Sequence, residues 1–207
     1  MHRAVRSLII IGAGGHGKVV ADTAIHTGKY DQIAFLDDAD IACSGGIKVI
    51  GRVNNAKEYA SFADFVIAVG QSSRREAIQE KLTAMNVRFA SLVHPSAVIA
   101  NGVEIGDGAV VMANVVVNTG TTIGKYSIVN TGATVDHDCR IGDFVHISPG
   151  AHVSGTVEIG KGTWVSVGAC VVNNVSVCPG CVIGAGAVVL KSIDVVGTYV
   201  GIPTRKI

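Results

Sequence analysis

Aromatic residues are scarce in this 207-residue chain, at 5%, and there is a single Trp. So few rings suit a tightly wound solenoid whose core is filled by small, stiff residues in place of large aromatic anchors. Neither sign of charge predominates: 17 Lys and Arg stand against 16 Asp and Glu, a net charge of +1, with no basic stripe or acidic tail. Nucleic acid and anionic membrane surfaces are not expected as partners. Long hydrophobic runs are missing too. The early apolar stretch Leu8–Ile11 stops at Gly12, too short for a signal-peptide core or a membrane span. A cytoplasmic protein without membrane insertion is expected. The five Cys, an odd number with no scaffold spacing, fit a reducing compartment. Cys178 and Cys181 form a CxxC, but no second pair accompanies them, so a zinc ribbon is not expected.

What the chain has in quantity is Val, Ile and Gly. From Val93 to Val195 every sixth residue is Val or Ile, through Ile99, Ile105, Val111, Val117 and onward. A period of six fits neither an amphipathic helix nor an alternating strand. It is the repeat of a parallel β-helix, a solenoid whose stacked coils close one another's cores. Four residues after each anchor, from Ala97 to Ala187, the residue is Ala, Val, Thr, Ser or Cys. One large and one small inward residue per hexad suit a narrow, filled interior. Three hexads make a triangular coil, and Gly recurs at that interval at 106, 124, 142 and 160. Roughly five coils are expected, with Asn114, Asn130 and the glycines at corners needing positive φ. A threonine-lined ice-binding face is disfavoured, because the cluster around Thr119, Thr121, Thr122, Thr131 and Thr134 does not repeat across coils.

The first ninety residues read differently. Ser7–Ile11 is a buried strand, Gly12-Ala-Gly-Gly-His-Gly17 a Gly-rich turn, and Lys18–His26 a helix. This is a phosphate cradle, with close backbone approach and free N–H groups at the helix start. Ile33–Leu36 is a second strand ending in Asp37-Asp38, an acid able to hydrogen-bond a ribose or base. Phe65–Gly70 is a third strand and Ser72–Met85 a helix. The spacing Gly12, Gly14, Gly17 also matches the dinucleotide fingerprint, but the segment is only half the size of a full NAD-binding unit. Two domains are expected: residues 1–90, an α/β Rossmann-like half-domain binding a nucleotide sugar, and 91–207, an all-β, parallel β-helix.

Of seven His, His2 reads as tail, His26 as a helix end and His94 as the domain junction. His137 stands out. It lies in Val135-Asp-His-Asp-Cys139, between inward anchors and flanked by acids. A neighbouring carboxylate raises imidazole basicity and selects its tautomer, which suits a general base for acyl transfer. Either Asp136 or Asp138 could be that carboxylate. A three-His zinc site, as in β-helical carbonic anhydrases, is disfavoured, since His137 and His146 are half a coil apart and do not stack on one chain.

The motifs Gly12–Gly17, Phe35-Leu-Asp-Asp38, His94-Pro-Ser-Ala97, Asn130–Asp138 and Val200-Gly-Ile-Pro203 together resemble the hexapeptide-repeat sugar acyltransferases with a left-handed β-helix. Among these the chain is similar to the sialic acid O-acetyltransferase type, and most of all to the N-acetyltransferases of UDP-linked 4-amino sugars. The resemblance implies a homotrimer, acetyl-CoA in the groove between neighbouring columns, and no metal. It implies His137 as base and Asp138 as its carboxylate, where the family pattern has Glu. It implies acetyl-CoA contacts at His146, Gly155, Val167 and Ala185. It further implies nucleotide-sugar contacts at Gly14, Gly15, His16, Asp37, Asp38 and Gly70, with Asn130 near the reacting amine. The expected activity is N-acetylation of a UDP-linked amino sugar in glycan biosynthesis. O-acetylation of sialic acid, N-acetylation of a GDP- or dTDP-linked sugar such as GDP-perosamine, and a catalytically silent binding module are the alternatives.

Overall fold

A computed structural model describes residues 5–207; His2 lies outside them. The chain divides between Leu92 and Val93 into two compact units.

In the first unit, β1 (Ser7–Ile11), β2 (Gln32–Leu36), β5 (Ala63–Ile67) and β6 (Arg88–Phe89) form one parallel sheet in the order β2-β1-β5-β6. The intervening pair β3 (Cys43–Ser44) and β4 (Ile47–Lys48) is a small antiparallel hairpin. Every residue of β1 is buried, as a central parallel strand requires. Helix α1 (Gly15–Thr27) follows β1; α2 (Ala56–Tyr59) and α3 (Ser72–Thr83) flank β5. His26 sits in the last turn of α1, its Nδ1 2.9 Å from the Asp22 carbonyl. Since β1 and β2 run parallel, the turns after β1, β2 and β5 gather at one end of the sheet, where α/β folds bind ligands.

The second unit is a column with three parallel faces. Successive strands on a face are offset by 18 residues: Val110 pairs with Ile128, and Ile128 with His146. The first face carries the strands at Val110, Ile128, His146, Trp164 and Val182, and gains Thr198–Val200 and Arg205–Lys206 at its end. The second face is a six-stranded ladder running from Val98–Ile99 to Val188–Val189, and the third a five-stranded one from Glu104–Ile105 to Ser176–Val177. Six rungs on the second face make about six turns, one more than the sequence suggests. Anchors from Val111 to Val189 are buried, and the small register packs beside them in one continuous core. Each buried Val or Ile contributes about 1.5–3 kcal/mol.

Three sequence expectations change in detail. Val195 is 56% exposed, and Ile193 enters the core in its place, bridged to Val177. Positive φ recurs at every sixth residue from Gly102 to Gly186, but Asn130 is not among these positions; Asn114 is, together with Tyr126, Asp138, Phe144, Thr156 and Asn174. Gly106, Gly124, Gly142 and Gly160 are not corner residues with positive φ either. A Cβ on Gly124 would come within 2.4 Å of the Gly142 backbone, and one on Gly142 within 2.7 Å of Lys161 N. Close stacking of coils, rather than dihedral freedom, demands glycine in that row.

Candidate functional site

The hexad places residues 137 and 138 in the turn between the second and third faces. Asp138 has φ +57°, the left-handed conformation that Asp tolerates better than most L-residues. There its carboxylate turns back on the preceding ring: His137 Nδ1 lies 2.8 Å from Asp138 Oδ2. Asp136 is occupied elsewhere. Its Oδ1 accepts the His137 backbone N–H at 2.8 Å and the Asn118 side-chain amide at 2.7 Å. Of the two flanking acids, Asp138 therefore pairs with the imidazole. A carboxylate on Nδ1 requires the proton there, leaving the Nε2 lone pair free. This bond holds the His137 imidazole above its ordinary range, and the Asn118 amide holds Asp136 below the usual carboxylate range.

Glycines enclose the dyad. A Cβ on Gly120 would lie 2.4 Å from Asp138 Oδ1, and one on Gly155 would lie 2.5 Å from His137 Nε2. The ring thus sits against bare backbone on the next coil, with half its side chain exposed.

Thr121, fully buried in the small register, clamps this turn. Its hydroxyl donates to the Asp136 carbonyl at 2.6 Å and accepts the Cys139 N–H at 3.0 Å, tying together the residues on either side of His137-Asp138. Ser127 and Thr163 do the same at other corners. Sequence reasoning missed this role, although a hydroxyl on an inward register was its signal. Thr121→Val should lower stability by about 1–3 kcal/mol for each orphaned group, read from urea denaturation. Thr121→Ser should recover most of the loss; equal stability of the Val variant would show that the clamp contributes nothing.

A second cluster lies on the first face. Asn130 Oδ1 accepts the Thr131 N–H at 2.8 Å, which fixes the amide so that Nδ2 faces His146 Nε2 at 3.2 Å. Nε2 of His146 is then an acceptor, and the ring is the neutral Nδ1–H tautomer. The Trp164 indole stacks on it with the two ring planes nearly parallel and centroids 5.8 Å apart, and donates from Nε1 to Ser148 Oγ at 2.7 Å. Val167 and Ala185 stack in the corner between the first and second faces, Gly186 N–H bonding to the Val167 carbonyl. One column thus brings His137, Asp138 and Gly155 together, and separately Asn130 with His146. Gly155 and the pair Val167 and Ala185 stand at different corners.

In the first unit the Gly-rich turn divides by function. A Cβ on Gly17 would lie 2.0 Å from the Gly12 carbonyl oxygen, so packing of α1 on β1 compels glycine there; Gly12 itself has φ +105°, and a Cβ on it would meet the Ala68 carbonyl oxygen at 2.9 Å, in the turn after β5. Gly14 and Gly15 have nothing within 4 Å of a Cβ, so they leave open space at the start of α1. The two acids shape loops. Asp37 Oδ2 accepts the Ala13 N–H at 2.6 Å and Oδ1 that of Ala39 at 2.8 Å, while Asp38 Oδ1 accepts the Val53 N–H at 3.0 Å. Arg75, buried at 1% exposure, was not singled out from sequence. Its guanidinium donates to the carbonyls of Val69 at 2.8 Å and Gly70 at 2.9 Å, fixing the turn after β5, and burial brings its pKa down to about 10. Burial, then the Arg75 charge, push His16 down to about 4, so this ring is neutral at pH 7.

Comparison with known proteins agrees with both units. Residues 7–82 match the PglD N-terminal domain family. The UDP-N-acetylbacillosamine N-acetyltransferase of Bacillus subtilis (strain 168) is 34% identical over 113 residues, 53% of this chain; the match spans about half the length of that relative, 52%. The acetyltransferase domain of PglB from Neisseria gonorrhoeae FA1090, also solved with acetyl coenzyme A, is 42% identical with a TM-score of 0.95, over 98% of this chain and 100% of that one. A variant of the GDP-perosamine N-acetyl transferase from Caulobacter crescentus, in complex with CoA and GDP-perosamine, is 31% identical with a TM-score of 0.93, over 97% and 96% of the two chains. With an α/β Rossmann-like half-domain ahead of a left-handed parallel β-helix and likeness of this extent to solved acetyltransferases, the chain belongs to the hexapeptide-repeat sugar acyltransferase family.

Proposed function

We propose that this protein transfers the acetyl group of acetyl-CoA to the 4-amino group of a UDP-linked amino sugar. The observation that carries the reading is the His137–Asp138 pair, with its unprotonated Nε2 directed along bare backbone at Gly155. The amine attacks the thioester carbonyl, a C–N bond forms, and Nε2 of His137 takes the proton that the nitrogen loses. Asp138 stabilises the imidazolium as it develops. The tetrahedral intermediate collapses by breaking the C–S bond, and CoA leaves as thiolate, to be protonated by His137. No acyl-enzyme is required, because the acceptor is already a good nucleophile.

The remaining residues follow this scheme. Gly14, Gly15, His16, Asp37, Asp38 and Gly70 hold the nucleotide sugar at the carboxyl ends of β1, β2 and β5, with Gly14 and Gly15 leaving room for its phosphates. Neutral His16 serves as a hydrogen-bonding group rather than a cation. Asn130 orients the acceptor and fixes the tautomer of His146. His146, Gly155, Val167 and Ala185 contact acetyl-CoA. Because the last three occupy two corners of the column, the pantetheine site takes its walls from two copies, which supports a homotrimer with acetyl-CoA between neighbouring columns. Residues 1–90 act as the sugar-binding domain and 91–207 as the acyltransferase domain, working in the cytoplasm on a glycan precursor.

The acetyl-CoA and GDP-perosamine relatives support the class of donor and acceptor alike, and the second keeps a GDP-linked sugar as the closest rival. A panel of UDP-, GDP- and dTDP-linked 4-amino sugars and free sialic acid, assayed by thiol release, tests the choice. The expected result is the highest kcat/KM with a UDP-linked amine. Preference for GDP or dTDP would reassign the nucleotide, preference for sialic acid would reassign the acceptor, and no thiol release with any of them would remove the activity.

A further inference from the structure

Cys178 and Cys181 lie outside the machinery described above. They are positions one and four of the turn Cys178-Pro179-Gly180-Cys181 at the corner between the third and first faces. Pro179 at the second position and Gly180, with φ +74°, at the third suit a type II turn, which holds its ends within about 7 Å. That span matches the Cα separation of about 4.4–6.8 Å that a disulfide bridges. The two thiols are free, and their sulfurs are 3.4 Å apart.

The backbone is held in this geometry from several directions. Cys178 N–H donates to the Ile193 carbonyl at 2.8 Å, Gly180 N–H to that of Lys161 at 2.9 Å, and Cys181 N–H to Thr163 Oγ1 at 3.3 Å. Gly160 presses on the peptide between Cys178 and Pro179, where a Cβ would meet Pro179 N at 2.4 Å. Closing the remaining distance needs side-chain rotation and no rearrangement of the column. The partners are also unequal. Cys181 is fully buried in the small inward register, and burial followed by its contact with Cys178 pushes its thiol up to about 11. Cys178 is partly exposed and lines a groove of about 660 Å³ along the third face, with Gly160 and Pro179 beside it.

We infer that Cys178 and Cys181 form a reversible dithiol–disulfide site, oxidised by small disulfides that reach Cys178 through the third-face groove. The Cys178 thiolate attacks one sulfur of a low-molecular-weight disulfide, forming a mixed disulfide and releasing one thiol. Cys181, losing its proton, then attacks Cys178 Sγ and releases the second thiol. Two protein thiols and one small disulfide become one protein disulfide and two small thiols, so atoms and electrons balance. A loop of four residues adds little chain-entropy stabilisation, which keeps the bond within reach of reducing thiols.

The test uses the full chain with Cys43→Ser and Cys170→Ser, removing the other two thiols that are not buried. It is equilibrated with glutathione and its disulfide at rising ratio, quenched with an alkylating reagent and read by intact mass and peptide mapping. The expected result is loss of two hydrogens, located in one peptide that carries both residues and is closed by an internal Cys178–Cys181 disulfide, and full reversal by dithiothreitol. Adding Cys181→Ser should leave one glutathione trapped on Cys178; adding Cys178→Ser should leave Cys181 unmodified in the folded chain. Circular dichroism and the emission of Trp164 report that each variant is folded. Three alkylatable thiols (Cys139, Cys178 and Cys181) in the unfolded, quenched chain at the most oxidising ratio, where the inference expects Cys139 alone, or a glutathione adduct on Cys178 that never resolves, would overturn the inference. None of these readouts depends on acetyl transfer.

Discussion

His137→Ala is expected to lower kcat by about 10²–10⁴, the contribution of a positioned general base, with little change in acetyl-CoA affinity. The expectation follows from the bonding around the ring. Nδ1 is committed to Asp138, so only Nε2 can take a proton from an acceptor. The side chain is half exposed and packs against Gly155, so removing it leaves no cavity in the core. Stability should therefore stay near that of the parent chain. Asp138→Asn separates basicity from presence of the ring. The hydrogen bond to Asp138 is the main cause of the raised His137 pKa. A raised pKa means that the free base becomes abundant only above the ordinary imidazole value of about 6.5. The rising limb of kcat/KM in the parent should lie on the alkaline side of that value. In Asp138→Asn it should move to lower pH while the plateau falls, because a less basic imidazole is a weaker proton acceptor. Unchanged turnover in His137→Ala would remove this residue from the scheme, and an unmoved limb in Asp138→Asn would remove the carboxylate.

The second large effect is expected from a single methyl group. Gly155 has no positive φ to defend, so Ala is tolerated by the backbone there, yet its Cβ would lie 2.5 Å from His137 Nε2. The ring must swing outward, away from the Asp138 carboxylate on one side and from the acceptor nitrogen on the other. Displacement of a reacting group by about 1 Å costs on the order of 10²-fold in rate. Gly155→Ala should therefore lower kcat by about that factor, with an unfolding midpoint close to the parent and the His137 titration shifted downward as the Asp138 bond weakens. Proton NMR of the imidazole ring reads the titration directly. Full activity in this variant would mean that the ring in its working position does not touch Gly155.

These two expectations rest on different amounts of information. The column is legible in the sequence, because a Val or Ile at every sixth residue buries efficiently in one way only, and each hexad repeats the pattern. The Gly-rich turn was legible too, although its glycines could not be sorted. Gly17 is required by the Gly12 carbonyl and Gly14 by nothing in the chain, and only the approach of α1 to β1 distinguishes them. The carboxylate partner of His137 was open between Asp136 and Asp138. Both are adjacent in sequence, and the choice depends on Asn118, eighteen residues earlier, drawing Asp136 away, and on the left-handed backbone at Asp138. That backbone also gives a physical reason for Asp where the family pattern has Glu, since the shorter side chain suits the conformation.

Arg75, Thr121 and Trp164 have partners that were not legible, for a common reason, although the inward hydroxyl of Thr121 signalled that it needed one. Each acts through a neighbour brought close by folding: the carbonyls of Val69 and Gly70, the two ends of the His137 turn, and the imidazole of His146. A one-dimensional pattern records which residues face inward, because burial is a property of each position on its own. It does not record which polar groups meet, because hydrogen bonds reach only about 3 Å and depend on how successive coils are stacked. The sequence by itself determined the solenoid, its inward registers and the histidine set in a corner between acids. The tertiary structure alone decided the tautomers of His137 and His146, the separation of Gly155 from Val167 and Ala185, and the replacement of Val195 by Ile193 in the last coil.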